Sequence, residues 1–545
     1  MARSVGRFAD PARWRAYFDR LAENRRRRQL DNALDAAWVA RGPVAISDGP
    51  DTVVADGMWY NPNHFLRLRL FVEARASRGP CRLLGVLRRR SDASARRALE
   101  RIGFSDFMYL DEDAEFTTAG FHAEAARLLA TVTSHGDFLA LQLPRGLPAY
   151  IVYDTVLKLA KDPQPPLDNR LWRDCLAEAL RDIAIYDREL DRRKVTDVAL
   201  SHPWKTEWGS LVWLALQRRI PAYHLTGFVE ALRVRRFRTP DDYRNPVEHL
   251  PLAQFQALPA AVQAELSAMG AAELERRASG QSSDLNARYA YHPESRIGER
   301  VAARRALGGE GSRPIIVIYS HVWYDFPHTF GMSHFTDFRD WIEATLARVR
   351  VIDDVQWLIK PHPTEEWYGG FRLADIAHDL PAHVKLLSTS IDNKTVLTAA
   401  DCVVTVHGTV GLEAAAWGLP VVLADRSYFS DWNIAHVAAD RADYLRLLGQ
   451  AGRLEPPTTD QRDRARAAFG LALGKPPDDA GALPMRCDSQ GTLVFEEVIG
   501  RARGADLVLA AERDRLVRFL DQSGVDSFAA FHLIDMARRR VAGQR

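Results

Sequence analysis

The chain has 545 residues, which is too long for one ordinary hydrophobic core, so two or more domains are expected. Apolar residues make up 47% of it and charged residues 26%, proportions typical of a globular protein in water. The formal net charge of +2 gives no argument for nucleic-acid binding, and we expect no nucleic-acid partner. Neither metal-ligand nor disulfide spacing is present among the cysteines, which are Cys81, Cys175, Cys402 and Cys487.

The opening of the chain, residues 1–48, is predicted to be a helical segment rich in arginine. Its helix at 13–30 is interpreted as docking on the first domain, and the alternative is a helix lying on an anionic membrane surface. No segment has the pattern of a signal peptide, and no apolar run approaches the roughly 20 residues that span a bilayer. With the scattered cysteines, this favours a cytoplasmic protein that contacts the inner membrane or an assembly complex only peripherally.

Strands and helices alternate through residues 49–270, which we assign to a first domain. The apolar patterns predict strands at 52–55, 82–87, 107–110, 198–200 and 222–225, and helices at 63–76, 93–102, 121–132, 171–193 and 210–218. Such alternation is typical of a parallel, doubly wound sheet. Residues 233–311 are predicted to be irregular, with the interdomain linker at 271–312.

A second α/β pattern occupies residues 313–454. Strands are predicted at 315–321, 355–363, 384–386, 403–406 and 421–424, and helices at 335–349, 394–398 and 411–417. A flexible loop at 455–490 and a helical extension at 491–545, with a helix at 505–520, complete the chain. The sequence therefore predicts two Rossmann-like sheets that face each other across a cleft.

The stretch at 399–432 holds a phosphate-sized gap between a strand and a helix. His407, Gly408 and Thr409 break the strand, and Gly411 begins a helix whose backbone N–H groups favour an anion. Glycine permits a positive φ or a close backbone approach, although a turn without a ligand would use the same glycines. Glu413, predicted in the first turn, is placed to bind a sugar hydroxyl.

A second candidate site follows the strand that ends in Lys360. Pro361 and Pro363 fix the backbone on both sides of His362, so that its imidazole is presented at a constant angle. Lys360 and His362 are predicted to bind the phosphate of a leaving group, by charge and by a ring N–H. The alternative is a histidine that only caps the strand end.

The loop SHVWYDFPHTFGMSHFTDF concentrates polar and aromatic side chains. Its histidines and aspartates are His321, Asp325, His328, His334 and Asp337. Their spacing matches no known metal-binding pattern, so hydrogen bonding of His321 and His328 to sugar hydroxyls is favoured over a metal site. For catalysis the loop offers Asp325.

The first domain offers further catalytic candidates in Asp154, Glu207 and Glu230, with His202 in the loop that follows the strand at 198–200. Sugar transfer needs a base for the acceptor hydroxyl or a carboxylate nucleophile. The sequence leaves open which of these residues acts, and a surface role is favoured for Glu230.

The second half resembles the bacterial capsule and surface polysaccharide glycosyltransferases of the capsule-synthesis family, which includes the β-Kdo transferases. The segments that carry the resemblance are YSHVWYDFPHTFG, FTDFRDWIEATL, WLIKPHP and ADCVVTVHGTVGLEAAAWGLPVVLADRSYFSDW, with GLPAYIVYDTVLK and residues 198–225 in the first half. The resemblance is firm over residues 315–435. It implies a GT-B fold that binds the nucleotide on the second domain and the acceptor against the first, with no obligatory metal.

The resemblance also assigns roles to residues. His362 and Lys360 would contact phosphate or cytidine, Gly408 and Thr409 the phosphate, and Glu413 the ribose. It implies no cofactor beyond a nucleotide-sugar co-substrate, with a CMP-sugar such as CMP-Kdo favoured, and a glycan or lipid-linked glycan acceptor. His407 departs from the serine that capsule enzymes often have, which leaves a UDP- or GDP-sugar open.

Two other functions fit the same architecture. One is a nucleotide-sugar 2-epimerase or a CDP-polyol phosphotransferase, and the other is a catalytically silent assembly or lectin-like subunit. The sequence does not distinguish an inverting from a retaining transfer.

Overall fold

The computed structural model describes residues 42–226, 232–282, 284–309, 311–365, 370–474, 506–522 and 524–544. The predicted helix at 13–30, Glu230 and residues 475–490 of the predicted loop lie outside these ranges. Among the described residues, no helix is both long enough and apolar enough to cross a bilayer.

The first half folds around a six-stranded sheet. Its strands are β1 Asp51–Asp56, β2 Arg82–Leu87, β3 Asp106–Tyr109, β4 Lys194–Leu200, β5 Ala222–Thr226 and β6 Arg233–Phe237. Its helices are α1 Pro62–Ala76, α2 Ala93–Ile102, α3 Thr118–Leu129, α4 His135–Leu139, α5 Ala149–Ala160, α6 Arg170–Arg192 and α7 Thr206–Gln217. The strand order is β3-β2-β1-β4-β5-β6, and neighbours are parallel except for β5 and β6. The predicted doubly wound sheet is confirmed.

The stretch at 233–311, predicted to be irregular, is mostly ordered. It contains β6 and the helices α8 Leu252–Gln256, α9 Ala260–Ala278, α10 Leu285–Ala290 and α11 Arg300–Ala306. Within the predicted linker at 271–312, α11 packs on a helix of the second half. Proline and polar residues in this stretch cap and separate short helices.

The second half contains a sheet of the same order. Its strands are β7 Ile315–Tyr319, β8 Gln356–Lys360, β9 Val384–Leu386, β10 Cys402–Thr405, β11 Val421–Leu423 and β12 His436–Val437. Its helices are α12 Phe338–Val349, α13 Asn393–Ala399, α14 Thr409–Trp417 and α15 Arg441–Leu448. The order is β12-β11-β10-β7-β8-β9, all parallel, and every residue of β7, β8 and β10 is buried. Unbroken apolar runs are typical of strands covered on both faces.

The C-terminal helices join the two halves. They are α16 Thr459–Leu473, α17 Asp506–Asp521 and α18 Phe528–Val541. Since α16 is a regular helix, the predicted flexible loop is wrong over these residues. α16 packs on α9, α17 packs on α1, and α18 contacts α9, α16 and β6. Over its described residues, the predicted helical extension at 491–545 is confirmed, and it returns to the first half.

The two halves also share a hydrophobic core. Side chains of α5, such as Tyr153, belong to the same buried cluster as Trp323 and Trp341 of the second half. Residues that follow strands of both sheets, Trp204 from the first and Phe330 from the second, line one cavity between the halves. Two sheets of Rossmann order that meet at a cleft, joined by C-terminal helices, form the GT-B arrangement.

Candidate functional site

Three histidines stand side by side at one edge of the second sheet. His321, His362 and His407 each lie two residues after the end of a strand, respectively β7, β8 and β10. These strands are parallel neighbours in the order β10-β7-β8, and the strand order reverses between β7 and β10. Open α/β sheets bind ligands outside the carboxyl ends of strands at such a reversal. The structure thus brings together three residues predicted to bind the donor.

Two adjoining cavities open at these strand ends. Cavity A has a volume of about 150 Å³ and is lined by Pro363, Glu413 and Tyr319. Cavity B has a volume of about 190 Å³ and is lined by Asp325 and His407. Both cavities are lined by His321, His362, Gly408 and Thr409. These residues therefore form a wall that the two cavities share.

His321 and His407 are packed among aromatic rings and are neutral. The ring of His321 lies parallel to that of Phe338, with 4.5 Å between centroids, and its Nε2 lies 3.1 Å from the Oγ1 of Thr405. The His407 ring lies 4.9 Å from that of His321, and its buried Nδ1 has no hydrogen-bond partner among the described residues. Burial lowers the pKa of His321 well below its ordinary value and that of His407 to about 4.

His362 presents a ring N–H to the cavities. Its Nδ1 lies 3.3 Å from the backbone nitrogen of Thr364 and 3.0 Å from the Oγ1 of that residue. Because a backbone N–H can only donate, Nδ1 accepts, and the proton of the neutral ring lies on Nε2. Burial lowers the pKa of His362 to about 4, so this tautomer is the form present at pH 7.

The start of α14 lies against the same space. Gly408 is the N-cap of α14 with φ −66°, and it has no side chain to bond the first N–H groups of the helix. A Cβ at Gly408 would lie 3.0 Å from the Oγ1 of Thr405 and 3.4 Å from the ring of His321. Close packing, and not positive φ, therefore requires glycine here. Gly411 also packs inward, since its Cβ would meet Leu423, Phe429 and Val421 at 3.3 Å, so its predicted contact with the donor is corrected to a packing role.

Glu413 lines cavity A but is already bonded. It lies in the second turn of α14, not the first, and only 2% of its surface is exposed. Its Oε1 accepts from the Nε of Arg277 at 2.6 Å, and its Oε2 accepts from the hydroxyl of Tyr291 at 2.5 Å. A ribose hydroxyl at this carboxylate would share or displace one of these bonds, and its assignment to ribose stays a prediction.

The structure gives the ammonium group of Lys360, predicted to contact phosphate, partners within the protein. Its Nζ donates to the backbone carbonyls of Ser388, Thr389 and Ile391 at 2.6, 3.0 and 2.9 Å. An ammonium group has three hydrogens, so none remains for a ligand. Lys360 instead fixes the loop between β9 and α13 against the end of β8.

Asp325 is the predicted catalytic carboxylate that reaches a cavity. It lines cavity B, and its side chain is 41% exposed. Its Oδ1 accepts from the Nζ of Lys158 in α5 at 2.7 Å, so a residue of the first half orients it.

Asp154 and His328 form a buried clamp between the halves. Asp154 is fully buried in α5, and its carboxylate accepts from the Nδ1 of His328 at 2.7 Å and from the backbone and hydroxyl of Thr329 at 2.9 and 3.0 Å. His328 is 6% exposed and lines neither cavity A nor cavity B. Both predicted roles, catalysis for Asp154 and donor binding for His328, are therefore corrected to a structural one.

Glu207 and His202 lie away from cavities A and B. Glu207 is buried, with its carboxylate 3.9 Å from Arg88 and bonded to the Oγ1 of Thr206 at 3.2 Å. The Nδ1 of His202 lies 3.1 Å from the Oγ of Ser201, and its ring packs among tryptophans. The structure does not bring these two predicted catalytic residues to the candidate site. Within the described ranges, no three His, Cys, Asp or Glu side chains are grouped to hold a metal ion.

Several residues of the site carry no signal in the sequence. Arg277 and Tyr291 belong to the stretch predicted to be irregular, and they reach Glu413 across 136 and 122 residues of chain. Tyr319 ends β7, and its hydroxyl, buried in the wall of cavity A, has no hydrogen-bond partner among the described residues. Its position at a strand end is the one feature that pointed to the cavity.

Comparison with known proteins gives distant structural similarities. No protein-family model matches the sequence, and no curated protein matches it. The β-Kdo 2,4-transferase KpsC of Thermosulfurimonas dismutans is 16% identical, with 57% of this chain and 88% of that chain covered and a TM-score of 0.31. The UDP-GlcNAc 2-epimerase of Neisseria meningitidis is 9% identical, with 78% and 97% covered and a TM-score of 0.24. The glycosyltransferase of kitacinnamycin is 15% identical, with 87% and 98% covered and a TM-score of 0.23. The strand orders, and not these scores, define the fold.

Proposed function

We propose that the chain is a glycosyltransferase that moves a sugar from a nucleotide-activated donor to a glycan acceptor during assembly of a bacterial surface polysaccharide. The observation that carries the proposal is the meeting of His321, His362, His407 and the N-terminus of α14 at the strand reversal of the second sheet. Together with the sequence resemblance, this favours the capsule-synthesis family and a cytoplasmic site of action, with peripheral contact at the inner membrane.

The groups around cavities A and B favour a donor with one phosphate. Of the cations in their walls, Lys360 is bonded to three carbonyls and Arg277 to Glu413 and Asp284. What the described residues leave for phosphate is neutral: the first N–H groups of α14, the Nε2–H of His362 and the hydroxyl of Thr409. Neutral donors at a helix N-terminus can bind one phosphate without a cation. A CMP-sugar, which has one phosphate, is therefore the proposed donor.

Asp325 is the proposed catalytic base. It would take the proton of the acceptor hydroxyl while the oxygen forms its bond to the anomeric carbon, and the bond from that carbon to the phosphate oxygen breaks. The leaving phosphate keeps the bonding electron pair and is stabilised by the N-terminus of α14 and by His362. This proposal corresponds to inversion at the anomeric carbon.

Calorimetric titration with CMP, CDP, UDP and GDP tests the donor. The proposal expects CMP to bind tightest, and binding of none of the four would contradict it and favour a silent subunit. Incubation of the matching nucleotide sugar without acceptor tests the other alternative, because an epimerase converts the donor alone whereas a transferase requires an acceptor. Conversion of the donor sugar in that incubation would overturn the transferase proposal.

A further inference from the structure

A third cavity adjoins the two at the candidate site. Cavity C has a volume of about 210 Å³ and lies between the halves, with Trp204 and His224 of the first half in its wall. It shares Val247 and Phe330 with cavity B, and it shares Arg277 and Asp284 with cavity A. A ligand in cavity C therefore lies next to whatever occupies the other two.

Every described charged side chain in the wall of cavity C has an oppositely charged partner. The pairs are Arg233 with Glu248, Arg276 with Glu273 and Arg277 with Asp284, at nitrogen to oxygen distances of 3.1, 2.6 and 2.6 Å. Arg233 also donates to the carbonyls of Ala472 and Gly474 at 2.6 and 2.8 Å. A carboxylate or phosphate entering this cavity would lose its water and find no unpaired cation among the described residues, which is costly.

One described polar atom in the wall has no partner and is neutral. His224 is 5% exposed, and its Nδ1 has no hydrogen-bond partner among the described residues. Burial lowers the pKa of His224 to about 3, so the ring carries no charge at pH 7. A buried polar atom without a partner at the wall of a cavity is satisfied when a ligand supplies one.

Aromatic rings form another part of this wall. The ring of Trp204 lies 5.2 Å from that of His224 and 5.6 Å from that of Phe330. Val247 and Leu473 add aliphatic surface. An apolar wall with few placed polar groups is typical of small-molecule sites, and the C–H faces of a sugar ring pack well on aromatic side chains.

We propose that cavity C binds the acceptor and that the acceptor sugar held there is uncharged. A neutral hexose packs on Trp204 and Phe330, and one of its hydroxyls hydrogen-bonds to the Nδ1 of His224. This inference rests on the proposed transferase function, because a transferase needs its acceptor beside the donor. It excludes an acidic or phosphorylated sugar at this position.

Saturation-transfer NMR with methyl glucoside, methyl galactoside and methyl glucuronide tests the inference, in the presence of CMP. We expect signals from one or both neutral glycosides and a signal about tenfold weaker from the glucuronide, which differs from the glucoside by a carboxylate in place of the C6 hydroxymethyl group. The variants Trp204→Ala and His224→Phe should each lose the neutral-sugar signal. The control Trp213→Ala removes an indole that lines none of the three cavities and should keep it.

The outcomes separate the inference from the proposed function. Binding of CMP without any glycoside signal, or a glucuronide signal equal to that of the glucoside, overturns the inference alone. Full glycoside signals in folded Trp204→Ala and His224→Phe overturn it as well. Calorimetry should give both variants a CMP affinity within about twofold of the wild type, and absence of CMP binding in the wild type contradicts the proposed donor and the inference with it.

Discussion

Replacement of Lys360 by methionine should destabilise the protein without weakening nucleotide binding. The side chain keeps its length but loses the ammonium group, so three carbonyls, those of Ser388, Thr389 and Ile391, lose their donor. At about 1 kcal/mol for each, the free energy of unfolding should fall by about 3 kcal/mol. For a cooperative unit of about 200 residues this lowers the Tm by roughly 6 to 12 °C.

Lys385→Met is the matched control. Its Nζ donates to one carbonyl, that of Gly308 at 2.8 Å, so about 1 kcal/mol and a shift of roughly 2 to 4 °C are expected. Differential scanning calorimetry gives the Tm of both variants, and titration calorimetry at 15 °C gives their affinity for CMP. A Lys360→Met variant with an unchanged Tm and a CMP affinity reduced tenfold would show that the lysine binds phosphate and would refute the structural role.

Three further predictions follow from buried groups. Gly270→Ala should lower the free energy of unfolding by about 2 kcal/mol or more, because a Cβ there would lie 1.8 Å from the carbonyl oxygen of Arg466. The control Gly298→Ala, whose Cβ would have nothing within 4 Å, should change it by less than about 0.5 kcal/mol. Equal melting curves for the two variants would contradict this prediction. Asp154→Ala should lower the Tm, since it leaves buried donors unpaired, and a variant that melts normally but cannot transfer sugar would restore its catalytic role. The free energy of unfolding should fall as the pH drops from 6.5 towards 4, because in that window histidines such as His362 are protonated in the unfolded chain but stay neutral in the folded protein. Between pH 7 and 5.5, each such histidine should lower it by about 1 kcal/mol. A Tm that does not fall over this range would count against the burial of these histidines.

Apolar periodicity was sufficient to predict five of the six strands in each sheet, whereas β6 and β12 were not predicted. Runs such as 315–319 and 402–405 are buried on both faces, so their hydrophobic pattern is continuous and their ends are marked by polar residues. The stretch at 233–311 could not be predicted in the same way, because its helices pack through tertiary contacts. The contact of Gly270 with Gly470 between α9 and α16 is an example, since both residues disfavour a helix when considered locally.

The sequence could predict the surroundings of those site residues that directly follow a parallel strand. His321, His362 and His407 follow parallel strands, and this is sufficient to place them at one edge. The partners of Lys360 and Asp154 could not be predicted, because they are groups of distant segments, backbone carbonyls in one case and the 328–329 turn in the other. The sequence around a polar residue does not show whether its side chain bonds to another part of the protein or to a ligand.

The most direct test of the central claim is the affinity of CMP for the wild type, for His362→Ala and for His436→Ala, measured by titration calorimetry. His436 is exposed on β12 and serves as a control for loss of a histidine. If the nucleotide phosphate binds at the strand reversal of the second sheet, His362→Ala should reduce the CMP affinity at least about tenfold, which corresponds to the loss of one charge-assisted hydrogen bond. His436→Ala should bind CMP as tightly as the wild type does. A folded His362→Ala variant that binds CMP with wild-type affinity would contradict the account.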